Sequence, residues 1–317
     1  SALTSLIDNQ PEDCDLKPNA WQNNFVSYLH IKNIEARDDF NIKLNPLIAS
    51  KKPGISAMLR VKNEAKNIQN VLNSCLLVFD EVIVVDNNST DETVSIVESF
   101  IEQNSKGVGE HIKIYHYPFK VMRCGQENFD CPENSLHSLA YFYNYALSKC
   151  SCSHVFKWDG DMILNQSMIN YFLKFKQAYL YKVGNMRSEN CIVHGAPKGI
   201  TIYKGLNNRF YCQRDIFERE VRLFPNTSAN LYIKSILWEQ LYSPYPVAAV
   251  NSEHIVFIEY KDVSEDEFTN WRPGGLGWSI RKRNELKCIN LIAELTRNGS
   301  PSSAQLRNTG LKEVEDL

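Results

Sequence analysis

The stretch His154-Val-Phe-Lys-Trp-Asp-Gly-Asp-Met-Ile-Leu164 combines an apolar run with two carboxylates one residue apart. The apolar run predicts a buried strand that ends at Asp159, Gly160 and Asp161. In open α/β sheets, substrates bind at the carboxyl edge of the strands, where these two acids would lie. Carboxylate oxygens with no Cys or His directly beside them are typical ligands of Mg²⁺ or Mn²⁺ holding a diphosphate. Asp-Gly-Asp is also common in ordinary turns, so the surrounding elements must decide between the two interpretations.

Strands and helices alternate in the sequence on both sides of this stretch. Apolar runs predict strands at Ile55–Val61, Glu81–Val85 and Ile112–Tyr117, ahead of the Asp159 strand. Apolar residues at helical spacing predict helices over 64–79, after Asp91, over 134–149 and over 166–181. Such alternation is typical of an α/β fold with a mostly parallel sheet flanked by helices.

The pattern changes along the chain and suggests four segments. Residues 1–52 are irregular and polar and are interpreted as an N-terminal extension, followed by the alternating segment 53–183. In residues 184–297 the alternation fades, with short antiparallel strands predicted at Ile200–Tyr203 and Phe210–Cys212 and a final helix at 279–297. Trp271–Trp278 has the glycines of a mobile lid or of a plain connection, and residues 298–317 are expected to form a polar tail.

Composition excludes several classes of protein. The 317 residues carry a formal net charge of −2, which does not suggest a nucleic-acid-binding protein. No run of about eighteen apolar residues predicts a membrane span. The nine cysteines fit no paired zinc-binding spacing. Cys124 and Cys131 are close enough in sequence to be bridged, but a reduced cytoplasmic protein is the simpler interpretation.

Three motifs occur in order at the predicted strand ends: Leu59-Arg-Val-Lys-Asn-Glu64, Val84-Val-Asp-Asn-Asn-Ser-Thr-Asp91 and Lys157-Trp-Asp-Gly-Asp161. Together they resemble the family 2 glycosyltransferases of GT-A fold, over about residues 54–180. The resemblance implies that segment 53–183 is the half of a GT-A domain that binds a nucleotide sugar. Segment 184–297 would then be the acceptor side, a small antiparallel and helical part.

The resemblance also implies roles for individual residues. The donor, a nucleotide-diphosphate sugar, would be held by Arg60, Glu64, Asp86, Asn88, Asn144 and Asp159. Mn²⁺ or Mg²⁺ would be held by Asp159, Asp161 and His254. Independently of the family, an acceptor-only side chain leaving a buried strand at Asp86 suits a ribose hydroxyl or a base N–H. A surface ion pair for Arg60, a cap for Asn144, a structural role for His254 and a helix cap for Asp91 remain alternatives.

The general base of the reaction is sought in the second half of the chain. Glu218-Arg-Glu-Val-Arg-Leu-Phe224 and Leu237-Trp-Glu239 resemble a family pattern in which His-Glu follows Arg-Leu-Phe. The Glu of that pattern deprotonates the acceptor hydroxyl, which makes Glu239 the predicted base. Trp238 stands where the family has His, so Glu218 and Glu220 are kept as alternatives.

The resulting expectation is an inverting, metal-dependent glycosyltransferase that acts on a hydroxyl of a glycan or lipid-linked acceptor. The resemblance suggests bacterial capsule or lipopolysaccharide synthesis. Glycosylation sequons at Asn87 and Asn88 fall in the predicted site, which favours the cytoplasm, with peripheral membrane association as an option. A non-catalytic nucleotide-sugar-binding module and a sugar nucleotidyltransferase are the alternatives. The latter needs a glycine-rich loop, whereas residues 54–64 contain only Gly54.

Overall fold

The computed structural model describes residues 29–45, 51–104, 108–164, 166–180, 192–214, 216–243, 247–265 and 280–314. Most of the predicted N-terminal extension lies outside these residues. The glycine-containing stretch Trp271–Trp278, with its predicted lid, lies outside them as well.

The described strands and helices follow the predicted alternation through the first half. The strands are β1 (Leu29–Ile31), β2 (Ile42–Leu44), β3 (Lys52–Val61), β4 (Glu81–Asp86), β5 (Ile112–His116), β6 (Cys152–Asp159), β7 (Met162–Leu164), β8 (Ile192–Lys204), β9 (Phe210–Gln213), β10 (Glu218–Arg219), β11 (Leu223–Pro225), β12 (Leu231–Lys234), β13 (Glu239–Tyr242), β14 (Val247–Asp262) and β15 (Leu311–Val314). The helices are α1 (Ile68–Cys75), α2 (Thr93–Gln103), α3 (Gln126–Asp130), α4 (Leu139–Lys149), α5 (Gln166–Phe175), α6 (Ile280–Thr296) and α7 (Ser303–Thr309).

A central sheet has the strand order β15-β9-β8-β11-β6-β3-β4-β5. Strands β6, β3, β4 and β5 are parallel, whereas β11, β8, β9 and β15 join through antiparallel pairs. β14 runs parallel to β8 and also pairs with β7. The predicted α/β class, with a mostly parallel sheet flanked by helices, is therefore confirmed, as is the antiparallel pair near 200–212.

The sheet register places the ends of three strands side by side. Arg60 of β3 lies opposite Asp159 of β6, and Val61 lies opposite Asp86 of β4. Since neighbouring strands are about 4.8 Å apart, the ends of β4 and β6 lie roughly 10 Å apart across β3. The motifs that follow these strands thus meet at one edge of the sheet.

Helices cover both faces of the parallel part. α1 presents Ile68, Val71, Leu72 and Cys75, all buried, to the same core cluster as α2 and α5. α4 packs on the opposite face, where it lies between the sheet and the small β1–β2 and β12–β13 pairs. Because α4 is covered on several sides, eight consecutive residues from Ala140 to Leu147 are buried. Each large apolar side chain that is fully buried in this way stabilises the folded state by about 1.5–3 kcal/mol. This packing holds in place the sheet edge that carries the motifs.

Residues 298–317 were predicted as a polar tail, and the structure corrects this prediction. Ser302 and Gln305 form a reciprocal capping box that starts α7, and Gly310 ends it with a φ of 70°. β15 then pairs antiparallel with β9 and extends the central sheet. The segment buries Leu306 and Leu311 and little else that is apolar, so its periodicity was too weak to predict an element.

Two further predictions concern cysteines and membranes. Cys124 and Cys131 are both free thiols, so the alternative of a bridge between them is wrong. Among the helices of the described residues, none combines the length and the apolar character needed to cross a bilayer.

Candidate active site

The loops that follow β3 and β4 are bound to each other by side-chain-to-backbone hydrogen bonds. The N–H of Asn63 donates to Ser89 Oγ (2.9 Å), and the N–H of Thr90 donates to Asn63 Oδ1 (2.8 Å). Glu64 N–H donates to Thr93 Oγ1 at 2.7 Å. Two motifs that are distant in sequence therefore form one rigid edge, which is what a site that positions a ligand requires.

Asp91 takes part in the hydrogen bonds that hold these two loops together. Its Oδ1 accepts from the N–H of Thr93 (3.0 Å), the first residue of α2, and its Oδ2 accepts from the N–H of Ala65 (3.1 Å). These bonds lower the pKa of Asp91 despite the opposing effect of burial. The helix-cap interpretation of Asp91 therefore agrees with its contacts.

Asp86 ends β4 at the carboxyl edge with a side chain only 5% exposed. Both of its oxygens accept the N–H of Ser89, at 3.2 and 3.3 Å. This turn fixes the carboxylate while leaving further lone pairs for a ligand. Asn88, next in the same turn, is exposed and has a φ of 55°, a left-handed conformation that Asn tolerates better than most residues.

Asp159 is held between two buried arginines. Its Oδ1 accepts from Arg60 Nη2, and its Oδ2 accepts from Arg222 Nη1 at 2.7 Å. The Arg60 guanidinium also lies over the ring of Tyr143, 3.5 Å from its centroid. Burial would raise the pKa of Asp159, but the two guanidinium groups, with Lys157, hold it well below its ordinary value.

The ion pairs around Asp159 are part of a larger set that reaches Glu239, the predicted general base. Lys157 Nζ donates to Glu220 Oε1 at 2.8 Å and lies 3.5 Å from Glu239 Oε1. Arg222 Nη2 lies 3.1 Å from Glu220 Oε2. We call this set the ion network; within the described residues it comprises Arg60, Lys157 and Arg222 with Asp159, Glu220 and Glu239. Three cations and three anions leave it electrically balanced.

Two residues with predicted ligand roles form ion pairs within this network. Asp159 was predicted as a ligand of both metal and ribose, yet its two oxygens are already bound to arginines. Arg60 was predicted to contact the donor, yet its side chain is 6% exposed and pairs with Asp159. Charged groups buried in a strand need a partner of opposite charge, and here each is the other's partner.

Asp161, two residues further on, has the opposite environment. Burial raises the pKa of its carboxyl well above the ordinary value; Glu259, Asp159 and Glu64 raise it further, and Lys261 opposes them. Glu64 is affected in the same way, since burial and then Glu265, Asp159 and Asp91 raise its pKa to about 7, against a hydrogen bond from Asn67. We call Asp161, Glu64 and Glu259 the acidic end. Lys261 Nζ lies 3.7 Å from Glu259 Oε1, so the charge of this end is balanced only in part.

The acidic end fits a divalent cation shared with a diphosphate. Oxygen ligands suit Mg²⁺ and Mn²⁺, which are commonly held by one or two carboxylates together with substrate phosphates. Within the described ranges, no group of three or more His, Cys, Asp or Glu is arranged to enclose a metal by itself. Gly160 also brings the backbone close to Glu64, because a Cβ there would lie 2.6 Å from Glu64 Cγ. The residues therefore fit a site that needs the substrate to complete it.

Two other predicted site residues lie elsewhere. His254 was predicted as a metal ligand, but the N–H of Tyr260 pairs with the carbonyl of Asp161, six residues along β14 from His254. His254 therefore lies further along β14 than the residues that pair with β7, beyond the register shift between Ile255 and Phe257. Asn144 was predicted to face the donor, but its side chain donates to Tyr232 O (2.7 Å) and accepts from Tyr232 N (2.8 Å). It fastens β12 to α4 instead.

The acidic end opens into a cleft of about 1640 Å³. Glu64, Asp91 and Asp161 line it at one end, and aliphatic side chains of β7, β8 and β14 line much of the rest. Charged side chains such as Lys204, Asp262 and Lys312 also line it, so the cleft combines polar and apolar surface, as sites for small ligands commonly do.

Sequence reasoning missed Lys157, Arg222 and Glu259 as members of the site. Lys157 stands between Phe156 and Trp158 in a predicted buried strand, where a single cation signals a buried ion pair. Arg222 follows the charged residues Glu218-Arg-Glu220, and no strand was predicted there, so it gave no such signal. Glu259 gave no such signal, because only the β7–β14 pairing brings its strand to Asp161.

Comparison with known proteins finds a family whose model matches the loops at this edge of the sheet. The model of glycosyl transferase family 2 matches residues 56–126, which contain the braced loops after β3 and β4. Through this segment the chain is similar to the glycosyltransferases of family 2. An uncharacterized glycosyltransferase from Rickettsia bellii is 56% identical over 45 residues, which are 14% of this chain and 15% of that protein. One from Rickettsia conorii is 50% identical over 44 residues, 14% of this chain and 16% of that protein.

Solved structures give partial overlaps. The crystal structure of S. aureus TarS 1–349 overlaps with a TM-score of 0.37 and 15% identity, over 66% of this chain and 60% of that one. A mannosyltransferase from Pyrobaculum calidifontis, in complex with GDP-Man and Mn²⁺, overlaps with a TM-score of 0.30 and 18% identity, over 49% and 39%.

Proposed function

We propose that this protein transfers a sugar from a nucleotide-diphosphate donor to a hydroxyl of a glycan or lipid-linked acceptor, with inversion at the sugar carbon. The observation that carries the proposal is the clustering of Asp161, Glu64 and Glu259, whose charge Lys261 balances only in part, beside the loops that the family 2 model matches. The rickettsial relatives favour a bacterial setting, and a surface polysaccharide such as capsule or lipopolysaccharide is the product class we propose. The reaction would then take place on the cytoplasmic side of the membrane.

Asp161 and Glu64 hold the charged part of the donor in this proposal. Asp161 is the proposed ligand of Mn²⁺ or Mg²⁺, and Glu64 lies against Gly160 beside it. A divalent cation bound there would neutralise the charge that develops on the diphosphate as the sugar–oxygen bond breaks. Asp86 and Asn88 are proposed to contact the nucleoside, since both lie in the turn at the end of β4.

Glu239 remains the proposed general base, and the ion network supports it over Glu220. Glu220 has two cations within 3.1 Å, and although burial opposes the shift, Arg222 and Lys157 lower its pKa to about 2. A carboxylate with so low a pKa is a poor proton acceptor near neutral pH. Among the described residues, Glu239 forms its ion pair with Lys157 alone, at the longer distance of 3.5 Å.

The function is tested in two stages. A thermal-shift screen of nucleotide sugars with Mn²⁺ should show one donor that raises the melting temperature of the wild type, because ligand binding stabilises the native state. Asp161→Ala should remove that shift. Glu239→Gln should keep the shift yet lose transfer by at least about 100-fold, the usual range for general-base catalysis. Glu220→Gln is the matched control for the base.

Three results would contradict the proposal. They are the absence of a stabilising donor, a Mn²⁺-dependent shift that survives in Asp161→Ala, and unchanged transfer by Glu239→Gln. The last of these alone would move the base to another residue while leaving donor binding intact.

A further inference from the structure

The cleft continues well beyond the acidic end along one face of the β7–β8–β14 region. Ile163, Ile200, Ile202, Ile255, Ile258 and Tyr260 line it. Ile200 and Ile202 are buried, whereas Ile163, Ile255, Ile258 and Tyr260 are partly exposed. We call these six residues the aliphatic trough.

A bulge in β14 is what aligns the trough. Ile255 pairs with Lys198 and Phe257 with Gly199, so Val256 is an extra residue in the register. Without it, the odd spacing of Ile255 and Ile258 would place them on opposite faces of the strand. With it, both lie on the face shared with Ile200 and Ile202. Because the bulge shortens β14, Ile255 to Tyr260 spans the length of Lys198 to Ile202 on β8, about 13 Å at about 3.3 Å per residue.

The opposite wall of the cleft is polar. α1 contributes Asn67, Asn70, Asn73 and Ser74, at helical spacing along one face. Leu77, 66% exposed, follows beyond the end of this row. The cleft therefore has an amide-lined wall on α1 and an aliphatic stretch on β7, β8 and β14, with charged side chains such as Lys204, Asp262 and Lys312 also in its lining.

The size and chemistry of the cleft call for a second occupant besides the donor. Ligand pockets usually measure about 300–1,000 Å³, whereas this cleft measures about 1640 Å³. A diphosphate and a metal would occupy only the acidic end of the cleft, because neither forms favourable contacts with branched aliphatic side chains. An apolar chain in the trough would remove aliphatic surface from water, at about 25 cal/mol per Å².

We propose that the aliphatic trough binds the hydrocarbon chain of the acceptor, so that the acceptor is an amphiphile with its hydroxyl-bearing head at Asp161. This inference rests on the proposed function and selects the lipid-linked acceptor over a free glycan. The trough begins where the reacting atoms are placed: β7 leads from Asp161 directly to Ile163, and Tyr260 pairs with Asp161 through its backbone.

The test compares two probes that share a head and differ only in chain length. Binding of n-octyl β-glucoside, below its critical micelle concentration, and of methyl β-glucoside is measured by calorimetry on the full protein. The octyl compound should bind saturably and at least tenfold more tightly. Ile255→Ser/Ile258→Ser should weaken it at least tenfold by removing apolar contacts, and Ile258→Trp should weaken it by filling the trough. Leu173→Ser is the control, because Leu173 is 51% exposed on α5 and does not line the cleft.

Several outcomes would overturn the inference. Equal affinity for the two glucosides, or equal binding by the control and the trough variants with retained native circular dichroism, means that no chain binds there. A wild-type dimer that Ile255→Ser/Ile258→Ser dissociates would assign the face to a second copy of the protein. Binding of UDP and GDP with Mn²⁺ is measured in parallel. If the protein binds the nucleotides but binds the two glucosides equally, only the inference about the trough is rejected. If it prefers the octyl glucoside but binds neither nucleotide, the proposed function is rejected.

Discussion

The ion network and the acidic end are built from neighbouring residues, yet they differ in how their charge is balanced. Asp159 lies between Arg60 and Arg222, and the network as a whole pairs three cations with three anions. Asp161 faces the charge of Glu259, Asp159 and Glu64, with Lys261 as the opposing cation. Gly160 separates Asp159, whose charge is balanced by two arginines, from Asp161, whose charge is balanced only in part by Lys261.

This difference separates structure from function within one Asp-Gly-Asp motif. Ionised groups are costly to bury unless they are paired, so the network maintains the folded state. A carboxylate held at high energy near other carboxylates is stabilised by a cation from outside, and it therefore marks a candidate binding site. The two aspartates should respond oppositely to the same substitution.

The largest expected effect comes from neutralising each aspartate in turn. Asp159→Asn leaves Arg60 and Arg222 buried with less negative charge and should lower the free energy of unfolding by about 3–5 kcal/mol. Asp161→Asn removes repulsion and should leave that free energy unchanged or slightly higher in metal-free buffer. Urea denaturation at pH 7.5 measures both. Equal losses in the two variants would show that the two carboxylates do not differ in the way described.

A smaller effect should appear in the pH dependence of stability. The pKa of Glu64 is raised from 4.5 to about 7, so its contribution is fully favourable below pH 4.5 and is lost as pH rises through 7. Glu64→Gln, which does not titrate, should therefore be more stable than the wild type at pH 8 by on the order of 2 kcal/mol. The difference should vanish near pH 4. Urea denaturation of both proteins in EDTA measures it, and a constant difference across pH would exclude the titration of Glu64 as its cause.

The ion network provides the contrast in the same titration. Glu220 has its pKa lowered to about 2, so its contribution is present above pH 4.5 and is lost as pH falls towards 2. Glu220→Gln should therefore differ from the wild type most at neutral pH and least in acid, the reverse of Glu64→Gln.

The smallest expected effect concerns the residue between the two regions. A Cβ at position 160 would lie 2.6 Å from Glu64 Cγ and 2.9 Å from its Cδ, so Gly160→Ala must displace the Glu64 side chain. Because that side chain is flexible, a cost of about 1 kcal/mol is expected. Glu64→Ala in the same protein should recover most of it in a double-mutant cycle. If the two changes were additive, the close packing of Glu64 on Gly160 would not be the cause.

The sequence predicted the parallel part of the fold well because its signals are local. Each buried strand is a continuous apolar run, and α1 carries its apolar residues at i, i+3, i+4 and i+7. The same holds for the edge of the site, since Asp86 and Asp161 follow directly from strands. Their proximity needs only the rule that parallel strands end at a common edge.

What sequence reasoning could not supply depends on pairing between distant segments. The ion pair of Asp159 with Arg222 depends on β11, which reaches β6 as an antiparallel strand from a distant part of the chain. His254 was a reasonable candidate by type, yet the register of β14 on β7 brings Glu259 rather than His254 to the acidic end. Asn144 had the polarity of a ligand residue, but Tyr232 takes up its amide. Strand register across such distances is not encoded in local periodicity.

The C-terminal strand has a consequence for how the protein behaves in solution. β15 covers the outer edge of β9, and its exposed Lys312 places a charge along the border of the sheet. Charged border strands discourage one molecule from hydrogen bonding to the next. A protein shortened before Asn298 would present the β9 backbone as a free template, with Phe210 and Tyr211 beside it, and would lose the cover from Leu306 and Leu311. Such a protein would keep both aspartates of the site, yet it would be prone to self-association and would lose Lys312, Glu313 and Val314 from the lining of the cleft.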